Sequence, residues 1–370
     1  MTGTKFHIKV PGKLMIAGEY AVLEPDGQAI VVAVDRYIQA EIESSEQNSI
    51  SLPQLGIDYV TWEPLNPYGI ELSDPSLKIL FVKNAIALFN DYLHSLSIPL
   101  RPWSLKITSE LNDISGKKYG LGSSAAVTVA VITSMCYFYK SSLGEISKEL
   151  IYKLSAISHF KTQGNGSCAD IAASTYGGWV HYASFNSSWL LGEIKIGTPT
   201  LDVVNKSWPN LMIHTITPPS DLTLCVGWTN SESSTAPMIS KIRELQEIKP
   251  ELYKKFLSDS KSAVENLIQS FLNKSSGNAI TSLTQNREAL KTLSDHAATE
   301  IETEKLSILI QIANQYGSGK TSGAGGGDCG IAFVRGDTSS SELKSVWEQA
   351  NILPLNVTVS KDGATGSRIN

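Results

Sequence analysis

The chain predicts an α+β fold of two domains. Three observations lead there. Its 370 residues suggest two domains or one large one. Strand-like runs alternate with helical periodicity in the first half, whereas the second half reads mostly as helices. Between them, residues 184–220 are loop-rich and broken by Pro199, Pro209, Pro218 and Pro219, which places a soft boundary there. No repeat of fixed period and no low-complexity tract suggests a solenoid or a tail. A composition of 42% hydrophobic and 8% aromatic residues supports sizeable cores.

The elements follow in order. Residues 7–10, 29–34 and 37–42 are rich in β-branched residues and predict strands, with Pro25, Asp26 and Gly27 as turn residues. Residues 77–93 carry helical apolar spacing, and 103–111 predict a strand. That strand runs into a Gly/Ser turn and then into residues 125–139, the most apolar stretch of the chain. It is too short to cross a bilayer, which takes about 20 residues, and it contains Thr128, Thr133 and Ser134, so it reads as a buried helix. A helix over 146–160, a glycine loop over 164–166, a short helical piece at Asp170 and a strand over 178–182 complete the first half. The second half predicts strands over 222–228, 330–334 and 355–359, and helices over 235–247, 251–272, 279–293, 304–316 and 341–349.

Charge and cysteines narrow the function. A net charge of −5 argues against a surface built for nucleic acid, yet a few local cations suffice for a phosphorylated small molecule. Cys136, Cys168, Cys225 and Cys329 are widely spaced without a C-x-x-C pair, which points away from a disulfide framework or zinc cluster and toward a reducing cytoplasm. Residues 1–10 alternate polar and apolar and show no signal-peptide run, so no membrane association is expected. The six histidines fall in no metal-binding pattern and read as structural or exposed.

Three glycine-rich features could carry phosphate chemistry. In the first, a strand feeds Gly120-Leu121-Gly122-Ser123-Ser124-Ala125 at the start of the buried helix. Small residues there let backbone N–H groups approach an anion, and the helix start favours negative charge. A plain Ser-capped turn is the bland alternative, and G-x-G-x-x-A also fits a dinucleotide fingerprint. The dinucleotide reading needs a second strand with an acidic residue, whereas another helix follows here. The second feature, Gly317-Ser318-Gly319-Lys320-Thr321, imitates the end of a Walker A loop, but Asn314 stands where that motif needs its first glycine. The third places four glycines within residues 323–327, which suggests close backbone approach to a ligand.

Taken in order, Pro11-Gly12-Lys13-Leu14 with Gly18-Glu19-Tyr20, then Lys118-Tyr119-Gly120 into Ser123-Ser124-Ala125, then Ser322-Gly323-Ala324-Gly325-Gly326-Gly327-Asp328 resemble the three motifs of the GHMP kinase superfamily. Gln163-Gly164-Asn165-Gly166-Ser167 leading to Asp170, and Val226-Gly227-Trp228-Thr229-Asn230 followed by Ser231 and Ser233, are similar to segments of its phosphomevalonate branch. Tyr20 departs from relatives that carry His there. The resemblance implies a two-domain kinase fold with the active site in the interdomain cleft. Residues 1–200 would bind the ATP phosphates, and 201–370 would contribute the second glycine loop. ATP and Mg²⁺ are the implied cofactors and phosphomevalonate the implied acceptor, in a monomer or homodimer. Mevalonate or a sugar as acceptor, and a ligand sensor that kept the fold, remain alternatives.

Phosphoryl transfer rests on positioning and charge neutralisation, so cations should dominate the site. Lys13, just after a predicted strand, resembles the lysine that contacts the transferring phosphate. Lys118 precedes the phosphate loop and is favoured over Lys117. Asp170 is the third catalytic candidate, either as a base or as an orienting group for Lys13. Residues 120–125 would hold the ATP phosphates, with Ser123 and Glu19 toward Mg²⁺. Ser167, Ser231 and Ser233, with the backbone of Gly323, Ala324, Gly325 and Gly326, would meet the acceptor.

Overall fold

The computed structural model describes residues 4–65, 69–77, 79–231 and 235–369. Its strands are β1 (Lys5–Ala17), β2 (Gln28–Ser44), β3 (Ser49–Leu52), β4 (Ile57–Leu65), β5 (Gly69–Leu72), β6 (Trp103–Ser109), β7 (Trp179–Ala183), β8 (Met212–Ile216), β9 (Leu222–Trp228), β10 (Gly317–Thr321), β11 (Cys329–Arg335), β12 (Leu353–Pro354) and β13 (Thr365–Ile369). Its helices are α1 (Leu80–Ser95), α2 (Ser123–Phe138), α3 (Lys140–Leu143), α4 (Lys148–Gln163), α5 (Ala169–Tyr176), α6 (Ser187–Lys195), α7 (Thr200–Asn205), α8 (Thr235–Ile248), α9 (Pro250–Leu272), α10 (Ser276–Ala297), α11 (Glu304–Ala313) and α12 (Gly336–Gln349).

A nine-stranded sheet runs β13-β1-β2-β6-β3-β4-β5, with β7 also on β2 and β8 on β7. Only β3 and β6 pair in parallel among these described strands. Helix α2 packs on β1 and β2 with one side and on α1 and α4 with the other. That sandwiched position explains its lack of a polar face: a helix apolar all round must be covered all round. The second sheet, β10-β11-β9-β12, is antiparallel and is covered by α10, α11 and α12. Trp347 anchors this layer, fully buried, with its indole N–H donating to the Leu309 carbonyl at 2.9 Å. The two layers share one core, since Trp179 of β7 meets Phe271 edge-on at 5.4 Å and lies 5.9 Å from Phe333 of β11.

Several expectations shift. The expected division at residue 200 is displaced, because β8 pairs with β7 and β13 with β1, so residues 212–216 and 365–369 return to the first sheet. The two strands read over 29–34 and 37–42 are one strand, β2. Its polar interruption is satisfied at Asp35, whose carboxylate accepts from the Thr358 N–H at 2.6 Å and its hydroxyl at 2.7 Å. Residues 355–359 do not form a strand; they cross between the sheets, with Leu355 N–H on the Val226 carbonyl and Val359 bridged to Val34. The Walker-like run is strand β10 and no phosphate loop.

Candidate active site

Lys13 lies inside β1, where β-bulges between Pro11 and Gly12 and between Met15 and Ala17 re-aim the strand. Its backbone N–H donates to the Leu121 carbonyl at 2.9 Å, tying the first motif to the Gly/Ser turn. Leu121 is thereby a buried strut of that turn, 1% exposed. Gly120 and Gly122 have φ of +83° and +79°, a region that side-chain-bearing residues resist. A Cβ on Gly122 would stand 2.7 Å from Lys13 Cε, and one on Gly120 would stand 2.5 Å from Asp328 Cβ. The bare turn therefore lets Lys13 and Asp328 lie against it from opposite halves of the chain.

The turn opens α2 with Gly122 as N-cap and without a side-chain cap or an acidic residue in the first turn. The first N–H groups of a helix have no intrahelical partner, so Ser123 and Ser124 present both amides and hydroxyls at a positive helix end. Ala125 is fully buried and serves packing. Lys118 lines the cleft beside this turn, whereas Lys117 reaches across to Asn230 Oδ1 at 3.2 Å.

Helix α4 ends at Gly164 in the left-handed region, and the chain re-enters α5 through Cys168, also left-handed at φ +59°. That return places Ser167 and Asp170 on the cleft wall. Asp170 Oδ1 accepts from the Ile171 N–H at 2.9 Å, and Ser167 is held through its carbonyl by the Tyr182 hydroxyl.

The third motif is clasped to the first. Ser322 Oγ accepts from the Met15 N–H at 3.1 Å and donates to the Met15 carbonyl at 2.9 Å, and the Tyr20 hydroxyl donates to the Ala324 carbonyl at 2.5 Å. Beneath them Lys320 of β10 forms an ion pair with Glu19, the side chains being 0% and 1% exposed. Lys320 Nζ donates to Glu19 Oε1 and to the Thr321 carbonyl. Burial pulls the Lys320 ammonium down from its ordinary value, and the Glu19 carboxylate opposes that pull.

A cleft of about 370 Å³ gathers Lys13, Glu19, Lys118, Gly120, Gly122, Ser123, Ser124, Ser167, Asp170, Gly323, Ala324 and Gly325. Other candidates stand elsewhere. The Gly326 N–H is taken by the Ile301 carbonyl at 2.8 Å, so it is no donor toward an acceptor. Ser231 does not line the cleft; its carbonyl accepts from the Asp328 N–H at 2.7 Å and supports that residue instead. Ser233 lies outside the described residues.

Sequence reasoning missed Asp328 and His159 as cleft residues. Asp328 closes the third motif and holds φ +53°, a signal of constraint visible only in the backbone. His159 stacks on Phe81 at 5.1 Å with Nε2 3.5 Å from Ser124 Oγ, and it shares a helix face with Gln163, four residues on. An apolar pocket of about 300 Å³, including Leu52, Ile79, Phe81 and Val127, adjoins the cleft at Lys118, Ser123 and Ser124. No group of three or more His, Cys, Asp or Glu among the described residues could hold a metal alone. The oxygen donors facing the cleft do suit a Mg²⁺ that arrives with phosphates, since that ion commonly takes only one or two protein ligands. Glu19 gives Oε1 to Lys320 and keeps a buried Oε2 with no hydrogen-bond partner among the described residues, so it stands as an oxygen candidate beside Ser123, Asp170 and Asp328.

Comparison with known proteins agrees with this geometry. The family described as GHMP kinases N terminal domain matches residues 81–178, and GHMP kinases C terminal matches residues 261–352. A phosphomevalonate kinase of Streptomyces sp. (strain CL190) is 30% identical over 368 residues, covering 95% of this chain and 96% of that protein. The crystal structure of the Lin0012 protein from Listeria innocua superposes with a TM-score of 0.91 at 38% identity, covering 98% of this chain and 99% of the other. The Streptococcus pneumoniae phosphomevalonate kinase in complex with phosphomevalonate and AMPPNP gives 0.81 at 28% identity, with 98% and 99% covered.

Proposed function

The chain belongs to the GHMP kinase family, and we propose that it transfers the γ-phosphoryl group of ATP to 5-phosphomevalonate, forming 5-diphosphomevalonate and ADP in the mevalonate pathway of isoprenoid biosynthesis. The observation that carries this reading is the meeting of all three glycine motifs and the Asp170 segment on one cleft. The likeness over nearly the full length to phosphomevalonate kinases supports the choice of acceptor.

In this reading the start of α2 cradles the donor phosphates with the amides and hydroxyls of Ser123 and Ser124, and the adjoining apolar pocket takes the flat nucleobase. The bond between the γ-phosphorus and the β-γ bridging oxygen breaks, and one forms to an acceptor phosphate oxygen. An acceptor phosphate has its second pKa near 6 and is mostly dianionic at pH 7, so no residue has to remove a proton. Two anions must then approach, and Lys13 and Lys118 neutralise the charge that accumulates between them. Asp170 orients Lys13 and the reacting groups. Ser167 and the loop of Gly323, Ala324 and Gly325 position the acceptor. Mg²⁺, when bound with ATP through Ser123 and a cleft carboxylate, supplies further neutralisation of the phosphates. The enzyme works in the cytoplasm as a monomer or homodimer; no helix among the described residues is long and apolar enough to cross a membrane.

A hydroxyl acceptor such as mevalonate is the second reading, favoured by Asp170 on the cleft wall, where a carboxylate could take a proton. Phosphorus NMR of the product separates the two. Transfer to phosphomevalonate gives a second pair of coupled diphosphate resonances beside those of ADP, whereas a new phosphomonoester resonance from mevalonate, with no second diphosphate pair from phosphomevalonate, would overturn the proposal.

A further inference from the structure

The far end of α2 borders a second polar cavity. It measures about 600 Å³ and is lined by Arg101, Lys140 and Arg368, with Phe6, Tyr137 and Phe138. The cations come from three separate stretches: the segment before β6, the α2–α3 junction and strand β13. No carboxylate lines the cavity, and none of the three cations forms an ion pair among the described residues. In a chain of net charge −5 this is a positive concavity without a carboxylate among the described residues.

Aromatic faces hold two of these charges in place without cancelling them. The Arg101 guanidinium sits 5.0 Å from the Phe138 ring centre and 4.8 Å from that of Tyr139, and Lys140 Nζ sits 5.6 Å from that of Tyr137. Arg101 Nη2 also donates to the Phe138 carbonyl at 3.2 Å, and Tyr137 is braced edge-on by Phe6 at 5.9 Å. Arg368 faces Phe6 in the β1–β13 register. Immobilised cations lose less entropy when they bind an anion, and guanidinium groups match phosphate oxygens bidentately. Helix α2 spans 16 residues, roughly 24 Å at 1.5 Å per residue, so this cavity lies well away from the phosphate turn.

We propose that this cavity is a second, non-catalytic binding site for a small soluble molecule bearing a phosphate or diphosphate group. A concave site of this size suits a small molecule better than a lipid headgroup presented by a flat bilayer. The test is calorimetric titration of inorganic pyrophosphate into protein already saturated with both a non-hydrolysable ATP analogue and 5-phosphomevalonate, so that the donor and acceptor positions of the cleft are filled. One further equivalent should bind. The Arg101→Gln/Lys140→Gln/Arg368→Gln variant should weaken that binding tenfold or more at unchanged kinase turnover. Should the loss of Arg101 unfold the protein, Lys140→Gln/Arg368→Gln keeps the aromatic–guanidinium stack and should still weaken it at least threefold. Binding abolished by the two cleft ligands, or left unchanged by the variants, would overturn the site. Cation-dependent binding to anionic phospholipid vesicles with none to pyrophosphate would assign the patch to a membrane surface and refute the small-molecule proposal.

Discussion

Replacing Lys320 with Met removes one half of an ion pair whose two side chains are 0% and 1% exposed. The Glu19 carboxylate then stays buried without its cation, a change that typically costs about 3–5 kcal/mol. With an unfolding entropy of about 2.1 cal/mol/K per residue, cooperative unfolding of this chain should shift its midpoint down by about 4–6 °C. Glu19→Gln/Lys320→Met removes both charges and should recover most of that loss, because the penalty belongs to the orphaned charge. Calorimetry on the wild type, both single variants and the double variant gives the coupling directly. The same pair underlies the clasp of Tyr20 on Ala324 and Ser322 on Met15, so folded Lys320→Met should raise KM for the acceptor more than KM for ATP. A midpoint moved by less than about 1 °C, or a double variant no more stable than Lys320→Met, would refute this reasoning.

Further outcomes follow from the same geometry. Lys13→Met should lower kcat by on the order of 10²-fold or more with a smaller change in KM, measured by ADP release. Gly122→Ala forces a side chain into the left-handed region, at about 1–2 kcal/mol, and into Lys13 Cε; kcat should fall while circular dichroism stays native. Asp170→Asn should lower kcat without removing an ionisation from the pH–rate profile; a limb that vanishes in the variant would make Asp170 a base. Gln28 Oε1 accepts from His181 Nε2 at 2.8 Å, and burial, then the neighbouring His214, lowers the His181 pKa. The unfolded chain therefore binds more protons below its ordinary value of 6.5, so stability present above that pH should be lost as pH falls through the depressed folded value. Denaturant unfolding of His181→Gln should show a shallower acid decline between those values.

Local patterns made much of the fold legible. The charge-free, mostly apolar run of α2 and the short apolar runs of β9 and β11 needed no knowledge of distant neighbours. The β3, β4 and β5 strands were not read, because β3 and β5 are only four residues long and the outward faces of β4 and β5 carry exposed residues such as Tyr59, Glu63 and Glu71. Asp35 broke the β2 pattern because its partner, Thr358, is 323 residues away. At the site, the motifs marked the turns, since glycines signal backbone demands locally. The side chains that complete the cleft depend on tertiary pairing: Lys320 with Glu19, Asp328 against Gly120, His159 beside Ser124. Gly319 shows the ambiguity directly. Its bareness serves packing, as a Cβ there would stand 2.7 Å from that of Ala313, although its letters imitate a phosphate loop.

The central claim is the acceptor, and ADP release measured in parallel with 5-phosphomevalonate, mevalonate and galactose tests it most directly. Under ATP and Mg²⁺ turnover should be fast with 5-phosphomevalonate alone. Equal or faster turnover with mevalonate or galactose would contradict the account and return the cleft to a kinase acting on a hydroxyl.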